Sequence, residues 1–175
     1  MILTGPEILL AREQGTLIIE PFTDEQLNPN SYNFRLGPML LQNPGDQSCE
    51  GSCAEILLPA SGYLLSPGRL YLGASYEMIG SGRFAMLLVG RSSLGRLGLF
   101  LNITADLGHA GSVSRWTLEL TVVQPLRIYP YMRIGQISFW AQRGHMSQYG
   151  GRYHNDSAPA PNKDESLGGA AGIFP

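Results

Sequence analysis

The sequence predicts an all-β domain, a sandwich or jelly roll, that begins with one short helix. Short runs of Ile, Leu, Val, Phe and Tyr recur along the chain, and Gly, Pro, Asn and Ser separate them at short intervals. Only one segment carries clear helix start and stop signals. Many short strands with few helices between them are typical of sandwiches and jelly rolls.

The helix is predicted over residues 4–14. Thr4 is a suitable N-cap, Pro6 fits the first turn, and Glu7 stands three residues after Thr4, as in a capping box. Gly15 is expected to end the helix, because glycine adopts the left-handed cap conformation without steric cost.

Six later segments have the composition of strands, rich in the β-branched, aromatic and leucine side chains that suit a pleated, half-buried surface. They are residues 16–19, 32–36, 70–74, 84–89, 116–122 and 134–140. There is no internal repeat, so we predict one β domain over residues 1–148.

Residues 149–175 are predicted as a separate C-terminal segment. From about Gln142 the chain becomes rich in Gly, Ser, Asn and Pro, and the prolines of residues 157–162 lack the N–H that a central strand needs. The glycine-rich residues 168–172 are expected to be disordered. The segment is either a frayed end or a lid that orders over a ligand.

Composition excludes several classes of partner. The formal net charge is −2, which gives no general attraction to nucleic acid or anionic membranes. The first six residues lack the pattern of a secretory signal, and no apolar stretch approaches the roughly 20 residues that span a bilayer. We therefore expect a cytoplasmic protein with neither a nucleic-acid nor a membrane partner.

The two cysteines, Cys49 and Cys53, do not predict a metal site. A zinc site needs about four ligands, and no second Cys or His pair at a suitable spacing follows them. We interpret them as two loop thiols.

Residues 90–99 form a glycine-rich turn that carries two arginines, Arg91 and Arg96, and two hydroxyls, Ser92 and Ser93. Backbone amides in such a turn approach an anion, and arginines clamp its oxygens. Alone, the turn is equally compatible with a polar loop followed by a helical turn.

Glu119 stands in an apolar strand, between Leu118 and Leu120. Strand alternation places its side chain on the face opposite those leucines. If that face is enclosed, the carboxylate must be paired or must shift its pKa. If the face is open, the residue simply points to water.

Residues 90–99, with Thr104–Ala105 and Leu118–Glu119, closely resemble the central signature of the dCTP deaminases, in the dCTP deaminase and dUTPase superfamily. Further matching segments lie, in order, at residues 1–3, 20–22, 26–37, 67–73 and 130–136. Several ordered matches are far more specific than one short motif.

The resemblance implies a distorted, jelly-roll-like barrel of the dUTPase-like β-clip type, assembled as a homotrimer with active sites at the subunit interfaces. It also implies a nucleotide partner, dCTP and possibly dUTP or dTTP. The implied reaction converts dCTP to dUTP and ammonia without zinc. Mg²⁺ would accompany the triphosphate, bound chiefly through phosphate oxygens, so that no protein metal ligands are expected.

The resemblance also implies residue roles. Glu119 would be the general base that takes a proton from the attacking water, Ser92 and Arg96 would position that water and the glutamate, and the backbone of Ala105 would hold the water. The implied contacts to the nucleotide come from Arg91, Ser93, His109, Thr117, Leu118, Tyr149, Arg152 and Asp156.

Three positions depart from the family pattern. His109 replaces an aspartate that dUTPases use to orient the water attacking phosphorus, so dUTP diphosphatase activity is the less expected alternative. Asp156 replaces a glutamine near the triphosphate, which leaves open a different or modified cytosine nucleotide. Ala110 replaces a proline and Leu107–Gly108 a bulkier pair, so we expect a looser loop. A non-catalytic nucleotide-binding regulator is the third alternative.

Overall fold

The computed structural model describes residues 1–42, 53–101, 105–151 and 157–161. The predicted helix is present as α1, Gly5–Glu13, with Thr4 as its N-cap. The Thr4 side chain makes no capping hydrogen bond, so the prediction of a capping box is wrong. The Thr4 carbonyl accepts the N–H of Ile8 at 2.9 Å. Gly15, with φ +70°, follows the last turn as predicted.

The remaining elements are mostly short strands. In chain order they are β1 Ile18–Glu20, β2 Tyr32–Arg35, β3 Met39–Gln42, β4 Ala54–Leu57, β5 Tyr63–Leu65, β6 Tyr71–Ala74, β7 Met78–Gly80, β8 Phe84–Gly90, β9 Leu99–Leu101, β10 Leu107–Gly108, β11 Val113–Ser114, β12 Thr117–Val122, β13 Leu126–Ile128 and β14 Arg133–Ala141. A 3-10 helix spans Asp24–Gln26, and the helical turn α2 spans Ser92–Gly95. All six predicted strands are confirmed, with small shifts at their ends.

The strands pair antiparallel in four sheets. Their orders are β4-β3-β6-β12-β9, β10-β8-β14-β2, β1-β7-β11 and β13-β5. The long strand β14 pairs with the whole of β8 through residues 135–141, and its pairing with β2 carries a register shift between Arg133 and Gly135. Large apolar side chains such as Tyr32, Phe34 and Phe139 fill the core.

The all-β class with one N-terminal helix is confirmed, but the predicted barrel is not closed in the described residues. Each sheet ends in an unpaired edge strand there, for example β4 and β9 in the five-stranded sheet. Several strands are only two or three residues long, so they do not carry hydrogen bonding continuously around a ring. None of the helices in this part of the chain is long and apolar enough to cross a bilayer.

One buried carboxylate, that of Glu77, links the 3-10 helix and β2 to the start of β7 by hydrogen bonds. Glu77 is 0% exposed and accepts bonds from the Arg35 backbone N–H at 2.8 Å, from Arg35 Nε at 2.6 Å and from Gln26 Nε2 at 3.0 Å. A buried charge is tolerated only when it is paired and hydrogen-bonded, as it is here. This cluster fixes β2 against the start of β7.

Candidate active site

The strand register defines one face of the five-stranded sheet around Glu119. Side chains directly opposite each other in paired strands share a face, and β12 lies between β6 and β9. We call this surface the Glu119 face; it comprises Met39, Leu41, Glu55, Leu57, Leu72, Ala74, Phe100, Thr117, Glu119 and Thr121.

The alternation predicted for β12 is confirmed. Leu118 and Leu120 are fully buried in the core, and Glu119 lies on the opposite face, half-buried rather than open to solvent. Because the Leu118 side chain points into the core, a contact between Leu118 and a nucleotide would have to use its backbone.

The Glu119 face is apolar and only partly covered by its own chain. Leu57 is 76% exposed and Phe100 is 42% exposed. Leu57 lies on β4 and Phe100 on β9, the two edge strands of this sheet, with β12 and Glu119 between them.

The glycine-rich turn joins two sheets. It runs from Gly90, the end of β8, through α2 to Leu99, the start of β9. Ser92, Ser93 and Arg96 are exposed. Arg91 is half-buried, and its Nη1 lies 3.3 Å from the Arg133 carbonyl.

The turn and Glu119 occupy neighbouring parts of one sheet. Helical turn α2 packs against β9, and β9 pairs with β12 through Phe100 opposite Thr121. The turn therefore lies at the β9 edge and the carboxylate one strand further in. Ala105, another predicted site residue, is exposed just before β10.

The loop around His109 is packed, so the expected looseness is wrong. A Cβ on Gly108 would lie 2.8 Å from the Trp116 ring and 3.1 Å from the Met86 Cβ, which means that glycine is required for close approach. Ala110 is buried, and the Trp116 indole donates to the Ile79 carbonyl at 2.9 Å.

Two predicted site residues meet at this loop. The His109 and Tyr149 rings stack with centroids 5.4 Å apart and planes at 25°. The Tyr149 N–H also donates to the Ala110 carbonyl at 2.8 Å. The start of the C-terminal segment is therefore fixed to the loop that carries His109.

A later part of the C-terminal segment, residues 157–161, contacts the Glu119 face. We call it the tail anchor. The Ala160 N–H donates to Thr117 Oγ1 at 3.0 Å, and Pro159 is buried. A cavity of about 400 Å³ lies beside the anchor. Its lining is Gly37, Pro38, Met39, Leu57, Ala74, Ser75, Tyr76, Arg115, Tyr131, Ser157, Ala158 and Pro159.

None of these lining residues was predicted from the sequence as a site residue, and three of them, Tyr76, Arg115 and Tyr131, form a cluster. The Arg115 guanidinium lies 5.5 Å from the centre of the Tyr76 ring, and the Tyr76 and Tyr131 rings meet edge to face at 4.8 Å. Tyr131 has φ 62°, a left-handed backbone that is rare outside glycine and asparagine. The sequence holds no signal for this cluster apart from the arginine at 115, two residues before Thr117.

Two predicted nucleotide contacts, Arg152 and Asp156, lie outside the described residues, as does Thr104. No three His, Cys, Asp or Glu side chains among the described residues come together as a metal site would require. The absence of zinc chemistry stays a prediction.

Comparison with known proteins agrees with this architecture. Residues 2–142 match the dCTP deaminase-like family. A dUMP-forming dCTP deaminase of Hathewaya histolytica is 45% identical over 166 residues, which cover 93% of this chain and 96% of the relative. A dCTP deaminase of Rhodopirellula baltica is 44% identical over 147 residues, 82% of this chain and 74% of the relative.

A solved structure shares the fold. The crystal structure of 2′-deoxycytidine 5′-triphosphate deaminase from Agrobacterium tumefaciens superposes with a TM-score of 0.66 at 22% identity, covering 81% of this chain. The match covers 48% of that longer chain, so this protein spans about half its length. The sequence match over nearly the whole chain, together with the shared fold, shows that the protein belongs to the dCTP deaminase-like family.

Proposed function

We propose that this protein deaminates dCTP, with Glu119 as the general base. The observation that carries the proposal is a half-buried carboxylate on a partly exposed apolar sheet face, one strand from a turn that presents two hydroxyls and an arginine. Relatives more than 40% identical to this chain bear the name dCTP deaminase.

Hydrolytic deamination needs one group that first accepts a proton and later donates it. Glu119 would take a proton from water as the oxygen attacks C4 of the cytosine ring. The same carboxyl would pass this proton to N3, then take the proton of the new C4 hydroxyl and give it to the amino group. The C4–N bond would break as C4=O forms, and ammonia would leave, with the uracil ring of the nucleotide as the other product. A carboxylate beside apolar side chains is well suited to this double role, because exclusion of water strengthens its interaction with the proton.

The glycine-rich turn would serve as the anion-binding part of the site. Ser92 and Arg96 are exposed and available to position water and the reacting carboxylate, while Arg91 and Ser93 would bind phosphate oxygens. Residues 90–99 contain no carboxylate, so the turn suits the phosphates rather than a protein-bound cation. Mg²⁺ would enter with the triphosphate as part of the substrate.

A second copy of the chain would complete the site. Leu57 on edge strand β4 and Phe100 on edge strand β9 are exposed on the Glu119 face, and burial of such side chains would stabilise an assembly. We propose a homotrimer whose neighbouring subunit covers this face, so that residues of two chains surround each nucleotide.

We propose dUMP and pyrophosphate as the final products. The similar proteins of Hathewaya histolytica and Clostridium botulinum are named as dUMP-forming. After deamination, a second water would attack phosphorus in bound dUTP and release pyrophosphate. The second candidate is release of dUTP itself, favoured by His109, which replaces the water-orienting aspartate and stacks on Tyr149.

The test is to incubate the purified protein with Mg²⁺ and dCTP, dCMP, CTP or dUTP, and to follow ammonia and pyrophosphate separately. Ammonia and pyrophosphate in equal amounts from dCTP are expected. Ammonia without pyrophosphate would assign dUTP as the product. Pyrophosphate from dUTP alone would identify a diphosphatase, and nucleotide binding without either product would identify a regulator.

A further inference from the structure

The tail anchor, residues 157–161, is hydrogen-bonded to β12, the strand that carries Glu119. Its hydrogen-bond partner, Thr117, is two residues before Glu119 in β12, so both side chains lie on the Glu119 face. At 3.3–3.4 Å per residue, two positions along a strand are separated by about 7 Å. The hydrogen bond that holds the anchor is thus two residues along β12 from Glu119, on the same face.

A hydrogen bond and a buried ring hold the anchor. Thr117 Oγ1 accepts the Ala160 N–H, and Pro159 is buried beside the aromatic cluster that includes Tyr76. Ala158 and Pro159 line the 400 Å³ cavity, as do Tyr76 and Arg115. A volume of about 300–1,000 Å³ is typical of small-molecule sites.

We propose that Thr117 is a positioning residue whose hydroxyl holds the tail anchor on the Glu119 face, where the anchor forms a wall of the nucleotide site. In this proposal the Thr117 hydroxyl binds a backbone N–H of its own chain rather than the nucleotide. The expected effect of this contact on nucleotide binding rests on the proposed function, whereas the contact itself does not.

Hydrogen exchange tests the contact without any substrate. Because Pro159 and Pro161 have no N–H, residues 157–161 hold only three amides, those of Ser157, Ala158 and Ala160. Thr117→Val keeps the side-chain shape and the strand propensity but removes the acceptor. We expect exchange of the Ala160 amide to become about fivefold faster, the effect of losing one ordinary hydrogen bond. Thr117→Ser, which keeps the hydroxyl, should exchange like wild type.

Kinetics test the consequence. We expect Thr117→Val to raise the KM for dCTP about fivefold while kcat stays nearly constant, because binding is weakened and the reacting groups are untouched. Ala160→Pro removes the donor from the other side of the same bond and should have the same effect, whereas Ala160→Ser keeps the N–H and serves as its control. The double variant Thr117→Val/Ala160→Pro should be no worse than either single variant, since both remove one interaction.

Each outcome has one meaning. Unchanged amide exchange in Thr117→Val would overturn the contact. Faster exchange with an unchanged KM would overturn its role in nucleotide binding. A raised KM in Thr117→Val but not in Ala160→Pro would show that Thr117 acts on the nucleotide directly. If wild type releases no ammonia, the proposed function fails, and the exchange experiment still decides the contact.

Discussion

Two glutamates of this protein occupy opposite kinds of environment. Glu77 is fully enclosed, and Arg35 and Gln26 of the same chain donate hydrogen bonds to its oxygens. Glu119 is half-buried on a sheet face whose edge strands carry the exposed apolar side chains of Leu57 and Phe100. The second carboxylate is partly accessible from solvent and the first is not.

The difference teaches how burial separates a structural carboxylate from one that is proposed to act as a base. A fully enclosed charge is stable only when its own chain pairs it, which uses its lone pairs for the fold. A general base must instead meet water and substrate while apolar walls limit the access of bulk solvent. The environment of Glu119 meets that requirement.

The largest expected effect comes from Glu119→Gln. We expect kcat for ammonia release from dCTP to fall by about 1,000-fold or more, because the amide cannot accept the proton. Nucleotide affinity, measured by calorimetry, should stay close to wild type since the shape is kept. Turnover near the normal rate would remove Glu119 from the mechanism.

Glu77→Gln should lower the stability of the fold and leave kcat largely unchanged, the opposite of Glu119→Gln. We expect the free energy of unfolding to fall by about 2–3 kcal/mol, because Arg35 loses its charge partner in a buried setting and is itself partly exposed. Urea denaturation at a fixed protein concentration measures this, with kcat of the folded protein as the control. A large loss of kcat at unchanged stability would contradict a structural role.

Leu57→Lys tests whether the Glu119 face contacts a second copy. We expect self-association to weaken by about tenfold, since a charge replaces an apolar side chain in a buried interface. Light scattering after size-exclusion chromatography measures the assembly. Leu64→Lys, on β5, is the matched control because Leu64 is also exposed, at 47%. Equal behaviour of the two variants would place the interface elsewhere.

The smallest effect is expected at the loop that carries His109. His109→Asp removes the ring stacked on Tyr149 and supplies a carboxylate, so we expect cleavage of dUTP to pyrophosphate to rise several-fold. Ammonia release from dCTP is the internal control. An unchanged pyrophosphate rate would show that this side chain does not act on the second step.

The helix and strand pattern was largely predictable because its signals are local. Gly15 ends α1 as expected, and the alternation of Leu118, Glu119 and Leu120 predicts which way each side chain points. The prediction of a capping box was wrong, because a side chain at a suitable spacing does not always make the capping hydrogen bond. The looseness expected at Gly108 failed because Trp116, eight positions later, packs against it.

By itself, the sequence determined the all-β class, the reactive candidates in the glycine-rich turn and β12, and the resemblance that identifies the family. Only the tertiary structure decided that Glu77 is enclosed, that His109 stacks on Tyr149 and that the tail anchor reaches Thr117. These contacts join distant positions: 42 residues separate Arg35 from Glu77, and 43 separate Ala160 from Thr117. The alternation of side chains along a strand depends on neighbouring residues, whereas such contacts depend on how the sheets bring remote segments together.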